Sequence, residues 1–541
     1  MSSIPRVPLP ENEPVLSYAP GTPERKELKA ALARMAGERI TIPAVIGGEE
    51  VCDGESSEAV MPHDHAHVLA DWHRGGTEDA RRAIASAVEA QRDWAEWRWE
   101  DRAAVFLRAA DLLAERWRAT LNAATMLGQS KTAHQAEIDA ACELIDFWRF
   151  NAAFAEQLYA EQPRSGEGVW NRLDHRPLEG FVYAVTPFNF TSIAGNLPTA
   201  PALLGNVSVW KPASTAVYSG WCIMKLLEEA GLPPGVINFL PGDPVAISDA
   251  CLESEHLAGI HFTGSTGVFQ SIWRTVGERI DGYRGYPRLV GETGGKDFIV
   301  AHASADVEAL AVAMVRGAYE YQGQKCSAAS RAYVPAALWP EVKDRVLGMI
   351  GEIEVGDPAD FRNFLGAVID QSAFDKISGY IEHARGADGV EVLTGGSDDA
   401  TGWFIEPTLV RAEDPSYRLM CEEVFGPVLA VHVYPERRWE ETLRIVDEST
   451  PYALTGAVFA NDRGAILEAD RVLRHAAGNF YVNDKPTGAV VGQQPFGGGR
   501  ASGTNDKAGS ILNLMRWISP RTIKENFSPP HHWRYAFMAE E

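Results

Sequence analysis

The chain has 541 residues, of which 45% are hydrophobic and 23% are charged, an ordinary composition for a globular protein. Its formal net charge of −24 argues against nucleic-acid binding through a general basic surface, although a local pocket can still hold a small anion. The length exceeds what one ordinary hydrophobic core contains, and it predicts two large domains plus smaller pieces.

The cysteines and the start of the chain indicate the cellular compartment. The six cysteines form no Cys-x-x-Cys pair, and a chain of this size needs no disulfides to fold, so a reducing compartment is expected. No run of about 18 uncharged apolar residues occurs, so no membrane span is predicted. Residues 1–18 are Pro-rich, lack the features of a signal or transit peptide, and are predicted to form an extended arm or tail. We expect a cytoplasmic protein, with the mitochondrial matrix as the alternative.

The first part of the chain changes pattern twice. Residues 39–53 alternate apolar and polar side chains around Gly47-Gly48, which predicts a hairpin. The spacing from about Glu78 to Gln157 is helical. After Gly180, strand-like segments alternate with helices, which predicts a parallel sheet covered on both faces. The segments are the strands Phe181–Val185, Val207–Lys211, Val236–Leu240 and Leu257–Phe262, with helices at Ser219–Ala230 and Ala246–Ser254.

A second strand-helix series begins near Ile299, after a boundary close to Glu292–Asp297. Its predicted strands are Arg331–Val334, Gly366–Ile369, Leu429–Tyr434 and Thr455–Phe459. The fold class is therefore predicted to be α/β, with two doubly wound parallel-sheet domains.

Two further segments look like additions to these domains. Gly168–Arg176 precedes the first sheet, and Trp517–Glu525 follows the last Gly-rich loop. Both could be strands that pair with another subunit, which would make the protein at least a dimer, or they could form an ordinary surface hairpin.

Three side chains together supply the parts of acyl chemistry on an aldehyde. Cys326 provides a thiol nucleophile, Glu292 a carboxylate base and Asn189 an amide that can donate to an oxyanion. Cys326 precedes small residues suited to a helix start, and a helix N-terminus lowers a thiol pKa. Taken singly, each residue has a commoner structural interpretation: a buried cysteine, a solvated loop carboxylate and a turn asparagine.

Two Gly-containing segments are candidate anion sites. Gly264–Gly267 follows a strand and opens the predicted helix Val268–Val276, so its N–H groups suit a phosphate, although no G-x-G-x-x-G fingerprint is present. Lys211, at a strand end, could donate to ribose hydroxyls or cap the strand. Gly488–Gly499 is rich in glycine, which makes an anion-binding nest plausible, and it is too apolar for a flexible linker.

In this order, the motifs resemble those of the aldehyde dehydrogenase superfamily over about residues 30–525. The strings are Thr186–Phe190, Trp210–Pro212, Phe262–Ser265, Glu292–Lys296, Gly323–Cys326 and Glu422–Pro427. Within the superfamily, Glu137–Ala140, Glu143–Phe147, Gly488–Gly498 and Arg500–Lys507 resemble the members that oxidise L-glutamate γ-semialdehyde, the open form of 1-pyrroline-5-carboxylate. The end of the chain, at Arg516-Trp517, Ser519-Pro520 and Ile523–Glu525, also reads as in that group.

The resemblance implies NAD-dependent oxidation of this semialdehyde to L-glutamate in proline catabolism. Cys326 would attack the aldehyde, Asn189 and the Cys326 N–H would hold the oxyanion, and Glu292 would activate water to hydrolyse the thioester. The implied substrate residues are Ser327, Gly488 and Ala489 at the α-carboxylate, Glu143 at the ammonium, and Phe190 and Phe496 around the aliphatic chain.

For the cofactor, the resemblance implies Lys211 at the adenosine ribose, Gly264 and Ser265 at the pyrophosphate, and Glu423 with Phe425 at the nicotinamide ribose and ring. Two positions depart from the common pattern. Phe269 stands where many members have a second glycine, which could reshape the pyrophosphate turn. Ser214 stands where NAD-selective members often have Glu, so NAD is expected but NADP is not excluded.

The resemblance also implies the domain organisation and the partners. Residues 1–165 and 181–292 would form the NAD-binding domain, 293–505 the catalytic domain, 166–180 with 506–530 a β oligomerisation flap, and 531–541 a C-terminal tail. The expected partners are a small-molecule substrate and further copies of this chain in a homodimer or larger oligomer. The resemblance also allows a separate proline dehydrogenase as a partner. No metal site, nucleic acid or membrane is expected.

Three rival functions remain open. The nearest is an aldehyde dehydrogenase for another small aldehyde, such as succinic semialdehyde. A non-catalytic relative is disfavoured because Asn189, Glu292 and Cys326 are all present. A cysteine hydrolase would need a histidine beside Cys326, and no motif supplies one.

Overall fold

The computed structural model describes residues 5–540, and two seven-stranded mixed sheets form the body of the protein. The first sheet has five parallel strands, almost wholly buried and apolar, as expected for a sheet covered on both faces. An antiparallel hairpin that turns at Gly47 and Gly48 extends it, which confirms the predicted hairpin. In spatial order the strands are Arg288–Glu292, Leu257–Thr263, Phe181–Val185, Val207–Lys211, Ile237–Phe239, Ala44–Ile46 and Glu49–Val51.

The second sheet has six parallel strands and one antiparallel edge strand. The predicted α/β class is confirmed, although each sheet is parallel only in part because antiparallel strands close one edge. In spatial order the strands are Val390–Thr394, Thr408–Ala412, Val428–Tyr434, Ala329–Pro335, Asp297–Ala301, Thr455–Phe459 and Asn479–Val482.

The predicted strand Gly366–Ile369 is wrong. These residues belong to no sheet. Two of their backbone donors bond to buried side chains, and the N–H of Val368 bonds to the carbonyl of Trp403. The N–H of Ala367 donates to Ser130 Oγ at 2.9 Å, and the N–H of Ile369 donates to Gln324 Oε1 at 2.9 Å. A short apolar run looks the same in the sequence whether strands or side chains satisfy it.

The two added segments pair with each other. Val169–Pro177 and Ile518–Asn526 form an antiparallel two-stranded ribbon, although some 340 residues separate them in the chain. Pairing with another subunit stays a prediction. The other small sheets are Ile40–Ile42 with Asp64–His73 and Ser56–Met61, Ser397–Asp398 with Phe404–Ile405, and Tyr452–Ala453 with Gly499–Arg500.

Helices cover both large sheets. The stretch from about Glu78 to Gln157, predicted to be helical, contains five α-helices, and a π-helix, Glu137–Glu143, connects the last two. Across residues 5–540, no helix is both long and apolar enough to cross a membrane. The α-helices are Pro23–Ala36, Thr77–Trp94, Trp99–Ala114, Arg118–Gln129, Ala133–Ala136, Leu144–Ala160, Thr191–Leu203, Val217–Ala230, Pro244–Glu253, Thr266–Glu278, Val307–Tyr319, Trp339–Glu352, Gln371–Arg385, Arg418–Cys421, Trp439–Glu448, Arg463–Val472 and Ile511–Leu514.

The hydrophobic core follows the two sheets. One continuous cluster surrounds the first sheet and includes Leu514 and Trp517 from near the end of the chain. Two clusters cover the two faces of the second sheet. The two units therefore meet near residues 292–297, where the edge strand Arg288–Glu292 leads into Asp297–Ala301. The assignment of one unit to the cofactor and the other to catalysis stays a prediction.

Candidate active site

The candidate residues of the first unit lie at the carboxyl ends of parallel strands. Asn189 follows Phe181–Val185, Lys211 ends its own strand, Ser265 follows Leu257–Thr263, and Glu292 ends the edge strand. Parallel strands bring their carboxyl ends to one edge of a sheet, where ligands of open α/β sheets bind. The topology thus gathers residues that lie up to about a hundred positions apart.

A cavity of about 440 Å³ joins these strand ends to loops of the second unit. Both units contribute to its walls, and so does the N-terminal segment. Of the predicted residues, those that line it are Glu143, Phe190, Glu292, Cys326, Ser327, Gly488, Ala489 and Phe496. Asn189, Lys211, Gly264, Ser265, Glu423 and Phe425 are not among its lining residues.

Cys326 lies in a turn between a 3₁₀ segment and the strand Ala329–Pro335, so the predicted helix start is wrong. The small residues after the cysteine enter the middle of the second sheet, and sheet pairing outweighs their helix preference. Burial raises the pKa of the Cys326 thiol, and the charges of Asp297 and Glu292 raise it further. In this state of the site Cys326 is a thiol, and forming its thiolate requires a base or a change in the charges around it.

Glu292 is held by the Gly-rich loop of the second unit. Its Oε2 accepts a hydrogen bond of 3.2 Å from the N–H of Gly498. Burial nevertheless raises the pKa of Glu292 well above its usual range, and that hydrogen bond and Lys507 only partly oppose the shift. A carboxyl group with a raised pKa inside a cavity has the character of a general base poised for neutral or alkaline pH.

Asn189 is buried beside the turn that carries Cys326. Its Nδ2 donates to the carbonyl of Gln324 at 3.0 Å, two residues before Cys326. A side-chain amide has two N–H groups, so one donor remains after this bond. The contact orients the amide against the backbone of the Cys326 turn, while its role toward an oxyanion stays a prediction.

One end of the cavity carries positive charge, a feature that motif reading did not assign. Lys325 and Lys485 both line the cavity, and both lie near the buried Glu320, at 3.2 and 4.0 Å. Burial lowers the pKa of Lys325 to about 8. One glutamate balances only one of two lysines, so this end suits an anion together with the backbone of Gly488, whose φ of +99° belongs to the left-handed region.

Ser327 reaches the same end of the cavity. Its hydroxyl shares a 2.8 Å hydrogen bond with the hydroxyl of Thr487, next to Gly488. Lys485 donates to the carbonyl of Thr487 at 3.0 Å, which fixes the start of the loop. The predicted carboxylate residues Ser327, Gly488 and Ala489 therefore lie together with two lysines.

Another part of the cavity lining is acidic and belongs to the π-helix. Glu143 Oε2 accepts from the hydroxyl of Ser192 at 2.7 Å, and the same hydroxyl contacts Asp139 at 2.7 Å. Burial, followed by the charge of Asp139, raises the pKa of Glu143 to about 8. π-helical turns occur frequently at functional sites.

Asp139 is the centre of a fully buried ion pair. Lys131 donates to its Oδ2 at 2.6 Å, and the N–H groups of Thr191 and Ser192 donate to its two oxygens at 3.0 and 2.9 Å. The Lys131 ammonium also lies 4.2 Å from the ring centroid of Phe190, a cation–π contact. Lys131 thereby fixes one of the two aromatic rings predicted to enclose the substrate.

Phe496 is fixed by its backbone. Its N–H donates to the carbonyl of Ala508 at 3.0 Å, and its carbonyl accepts from the Ala508 N–H at 2.8 Å. Phe190 and Phe496 both line the cavity, so an aliphatic chain there would contact two anchored aromatic rings.

The predicted cofactor residues lie around a second region, beside the cavity. Ser265 caps the helix Thr266–Glu278, accepting from the N–H of Val268 at 3.4 Å, which confirms the predicted strand-to-helix turn. Gly264 N–H bonds to the carbonyl of Glu292 at 3.2 Å, linking this turn to the candidate base. Phe269 stacks on Phe262 with ring centroids 5.3 Å apart, so it packs into the core under the turn.

Lys211 is buried at the end of its strand. Burial lowers its pKa to about 8, and the charge of Asp243 opposes this shift. A buried ammonium is costly unless its donors find partners, and a ligand with hydroxyl or phosphate oxygens would supply them.

Glu423 reaches across to the loop after Glu292, where its Oε1 accepts from the N–H of Gly295 at 2.9 Å. A Cβ at Gly294 would come within 2.4 Å of Glu423 Oε2, so a larger residue there would displace the Glu423 carboxylate. Phe425 adopts a left-handed φ of +62° and packs edge-on against Phe188, with centroids 5.8 Å apart.

A histidine does line the cavity, which bears on the hydrolase alternative. His261 packs against Trp517, and its Nδ1 bonds to the carbonyl of Leu197 at 2.9 Å. Burial lowers its pKa to about 4. So weak a base is poorly suited to deprotonate a thiol whose pKa is raised, which disfavours a Cys-His hydrolase.

Residues 51–523 match the aldehyde dehydrogenase family over most of the chain. The chain belongs to this family. Of the three candidate catalytic residues, Cys326 and Glu292 line one cavity, and Asn189 contacts the backbone just before Cys326. This family membership confirms the resemblance inferred from the sequence.

Curated and solved relatives within the family are similar over the full chain. The delta-1-pyrroline-5-carboxylate dehydrogenase, mitochondrial, of Dictyostelium discoideum is 52% identical over 538 residues, covering 99% of this chain and 96% of that one. The Bos taurus protein of the same name is 51% identical, covering 97% and 94%. A Mycobacterium tuberculosis delta-pyrroline-5-carboxylate dehydrogenase, solved bound with NAD, is 56% identical with a TM-score of 0.97, covering 100% of both chains.

Proposed function

We propose that this chain oxidises L-glutamate γ-semialdehyde, formed from 1-pyrroline-5-carboxylate, to L-glutamate with NAD as the electron acceptor, a step of proline catabolism. The observation that carries the proposal is that one cavity presents charged groups of both signs beside the candidate catalytic residues. Lys325, Lys485 and Glu143 line the same cavity as Cys326 and Glu292. A zwitterionic aldehyde needs both of its charged groups satisfied when it leaves water. The names of the relatives at 52% and 56% identity support the same substrate.

The proposed reaction begins at Cys326. The Cys326 thiol gives its proton to solvent, its sulfur forms a bond to the aldehyde carbon, and the electron pair of the carbonyl double bond moves onto the oxygen, as an anion that Asn189 and the Cys326 N–H stabilise. Each such donor typically contributes about 10²–10³ in rate. NAD, when bound, accepts the hydride that leaves this carbon, so that a thioester remains on Cys326.

Glu292 acts in the second half of the reaction. Its carboxylate takes a proton from water, and the water oxygen attacks the thioester carbon. The carbon–sulfur bond breaks, the electron pair returns to the sulfur of Cys326, and the new carboxylate leaves as glutamate. The hydrogen bond from the Gly498 N–H holds the Glu292 carboxylate in position while it accepts the proton from water.

The residues around the second region fit a dinucleotide. Lys211 supplies a buried ammonium at one strand end, and the capped helix start at Ser265 supplies backbone N–H groups at the end of another strand of the same sheet. Lys211 would hold the adenosine ribose, Gly264 and Ser265 the pyrophosphate, and Glu423 with Phe425 the nicotinamide end. Ser214, in a short 3₁₀ turn, offers no carboxylate against a 2′-phosphate, so NAD is the proposed cofactor and use of NADP is left open.

One substrate panel tests the function. Purified protein should reduce NAD with pyrroline-5-carboxylate at a higher kcat/KM than with succinic semialdehyde or propanal, and Cys326→Ser should abolish all three activities. A lower kcat/KM for pyrroline-5-carboxylate than for succinic semialdehyde would favour the other small-aldehyde assignment. The same panel with NADP measures the cofactor preference.

The proposed setting is a homo-oligomer that works beside a separate proline dehydrogenase. The ribbon formed by Val169–Pro177 and Ile518–Asn526 has two unpaired edges, which suits strand pairing with a second copy. Sedimentation analysis of the wild-type chain and of a ribbon variant tests this.

The proposed compartment is the cytoplasm. The mitochondrial matrix is the alternative, because several relatives carry "mitochondrial" in their names. Imaging of a tagged chain in its own cells distinguishes the two compartments.

A further inference from the structure

The start of the chain is an ordered arm, defined here as residues 5–18, with no regular secondary structure. Side chains of the first unit hold its backbone down. The N–H of Val7 donates to Glu156 at 2.8 Å, and the N–H of Leu16 donates to Glu137 at 2.8 Å. Tyr18 donates its hydroxyl to the same Glu137 at 2.7 Å. The arm therefore follows one path across the protein.

Part of this arm forms a wall of the active-site cavity. Asn12, Glu13 and Val15 line the same cavity as Cys326. Ion pairs to Arg118 at 2.6 Å and to Arg149 at 2.7 Å pin the Glu13 carboxylate. Nothing in the function proposed above uses these residues.

Asn12 bridges two elements of the cavity with both ends of its amide. Its Nδ2 donates to Asp146 Oδ2 at 2.8 Å and to the carbonyl of Val491 at 2.8 Å. Its Oδ1 accepts from Gln493 Nε2 at 2.9 Å. The two acceptors fix which end of the amide is the nitrogen, since neither a carboxylate nor a carbonyl can donate to the amide oxygen. Asn12 thus joins the helix that contains Asp146 to the loop that contains Val491 and Gln493 through three hydrogen bonds.

The helix and the loop that Asn12 joins contribute the two halves of the proposed substrate site, the ammonium end and the carboxylate end. Asp146 lies three residues after Glu143 and on the same helical face, because residues three apart are neighbours on a helix. Val491 and Gln493 continue the loop of Gly488 and Ala489. The distance between the ammonium end and the carboxylate end of a substrate therefore depends on the loop staying in place against this helix.

We propose that the arm is part of the substrate site, and that Asn12 is a positioning residue that sets the loop 488–493 against the helix bearing Glu143 and so selects a substrate carrying both an ammonium and a carboxylate. The proposal rests on the proposed function. Asn12 acts through the loop, and an aldehyde without these two groups does not need the loop to be placed.

The test compares Asn12→Ala and Asn12→Asp with Leu9→Ala, a control on the same arm whose side chain is 86% exposed. Asn12→Asp keeps the size of the side chain and removes the donor, so it remains informative if Asn12→Ala folds poorly. The loss of two or three hydrogen bonds, partly replaced by bonds to water, should raise KM for the semialdehyde about tenfold. The kcat for the semialdehyde and for propanal, and KM for propanal, should stay within about twofold of the wild-type values. Gln493→Ala removes one bond and should raise the same KM by about threefold.

Amide hydrogen exchange of residues 488–493 gives a readout that needs no substrate. Exchange there should speed up in Asn12→Ala and Asn12→Asp and stay unchanged in Leu9→Ala. Equal KM changes for both aldehydes, or unchanged exchange in the loop, would overturn the proposal. Failure of the wild-type protein to oxidise pyrroline-5-carboxylate while it oxidises propanal would refute the proposed function, and the exchange data would still decide whether Asn12 holds the loop.

Discussion

Glu292 Oε2 accepts a 3.2 Å hydrogen bond from the backbone N–H of Gly498, and this contact spans 206 residues of sequence. It ties the edge strand of the first sheet to the Gly-rich loop of the second unit. Glu292, the candidate base, therefore belongs to the first unit and is oriented by a loop of the second. Its position depends on how the two units pack against each other.

Removing the base should separate the two halves of the reaction. In Glu292→Gln the thioester should still form, because attack by Cys326 and transfer of the hydride do not require the carboxylate at this position. Steady-state turnover should fall by about 10²–10⁴, since an amide cannot accept the proton from water. Rapid mixing should show one equivalent of NADH per site followed by a stalled phase. Cys326→Ser is the control and should show no burst.

The pH dependence of turnover should follow Glu292. Burial raises the pKa of its carboxyl well above the usual range, so the carboxylate forms at a higher pH than in an exposed glutamate. Only the carboxylate activates water, and burial raises the pKa of the Cys326 thiol as well. Both groups therefore make activity increase as the pH rises from neutral to alkaline values. Propanal is the substrate to use, because ring opening of the pyrroline itself depends on pH. A kcat that stays level or falls over this range contradicts the assignment.

Glu143 should make ligand binding depend on pH. Burial raises its pKa to about 8, so the carboxylate form that attracts an ammonium grows as the pH rises through that value. Inhibition by glutamate, measured against propanal, should therefore tighten between about pH 6.5 and 8.5. Glu143→Gln should remove this dependence and weaken glutamate about tenfold or more, as expected for the loss of one buried charge contact. If the variant keeps the slope, Glu143 does not contact the ammonium.

A larger side chain at Ala489 should discriminate between aldehydes. The residue lines the cavity beside Ser327 and the lysine-bearing end. Ala489→Leu should raise KM for the semialdehyde by more than about tenfold, because the carboxylate loses its place, while KM for propanal changes less than about threefold. Gly499→Ala is the control, since no atom lies within 4 Å of a Cβ built at that glycine. Equal effects on both aldehydes would mean that the loop does not hold the carboxylate.

The buried pair Lys131–Asp139 should matter for stability. Lys131→Met keeps most of the side-chain volume but leaves Asp139 without its cation, and breaking one side of a buried pair typically costs about 3–5 kcal/mol in the free energy of unfolding. Arg345→Met is the matched control, because its pair with Glu341 is exposed and should contribute less than about 1 kcal/mol. Urea unfolding of the two variants measures the difference. A loss for Lys131→Met no larger than for the control would mean that the pair is not needed.

Local pattern was sufficient for much of the fold. The strands Phe181–Val185, Val207–Lys211 and Thr455–Phe459 have the predicted bounds, because buried parallel strands are short apolar runs between turn residues. The hairpin at Gly47-Gly48 and the turn at Ser265 were also predicted correctly, since each depends on the residues within it.

Errors arose where a distant segment decides the local structure. The small residues after Cys326 enter a central strand, and Gly366–Ile369 bonds to side chains from residues 130 and 324. The cavity lysines were overlooked for the same reason. Lys325 precedes Cys326 in the sequence. Whether it adds positive charge to the cavity depends on Glu320 and Lys485, and no sequence periodicity connects these residues to it.

The sequence by itself determined the chemistry: a thiol, a carboxylate and an amide in ordered motifs whose residue types allow few other reactions. Tertiary structure alone decided the protonation of those groups and the shape of the pocket. Burial sets the raised pKa values of Cys326, Glu292 and Glu143, and burial depends on the whole fold. The N-terminal arm is the clearest case, because Asn12 bonds to Val491 across 479 residues, and such a contact exists only once both sheets have formed.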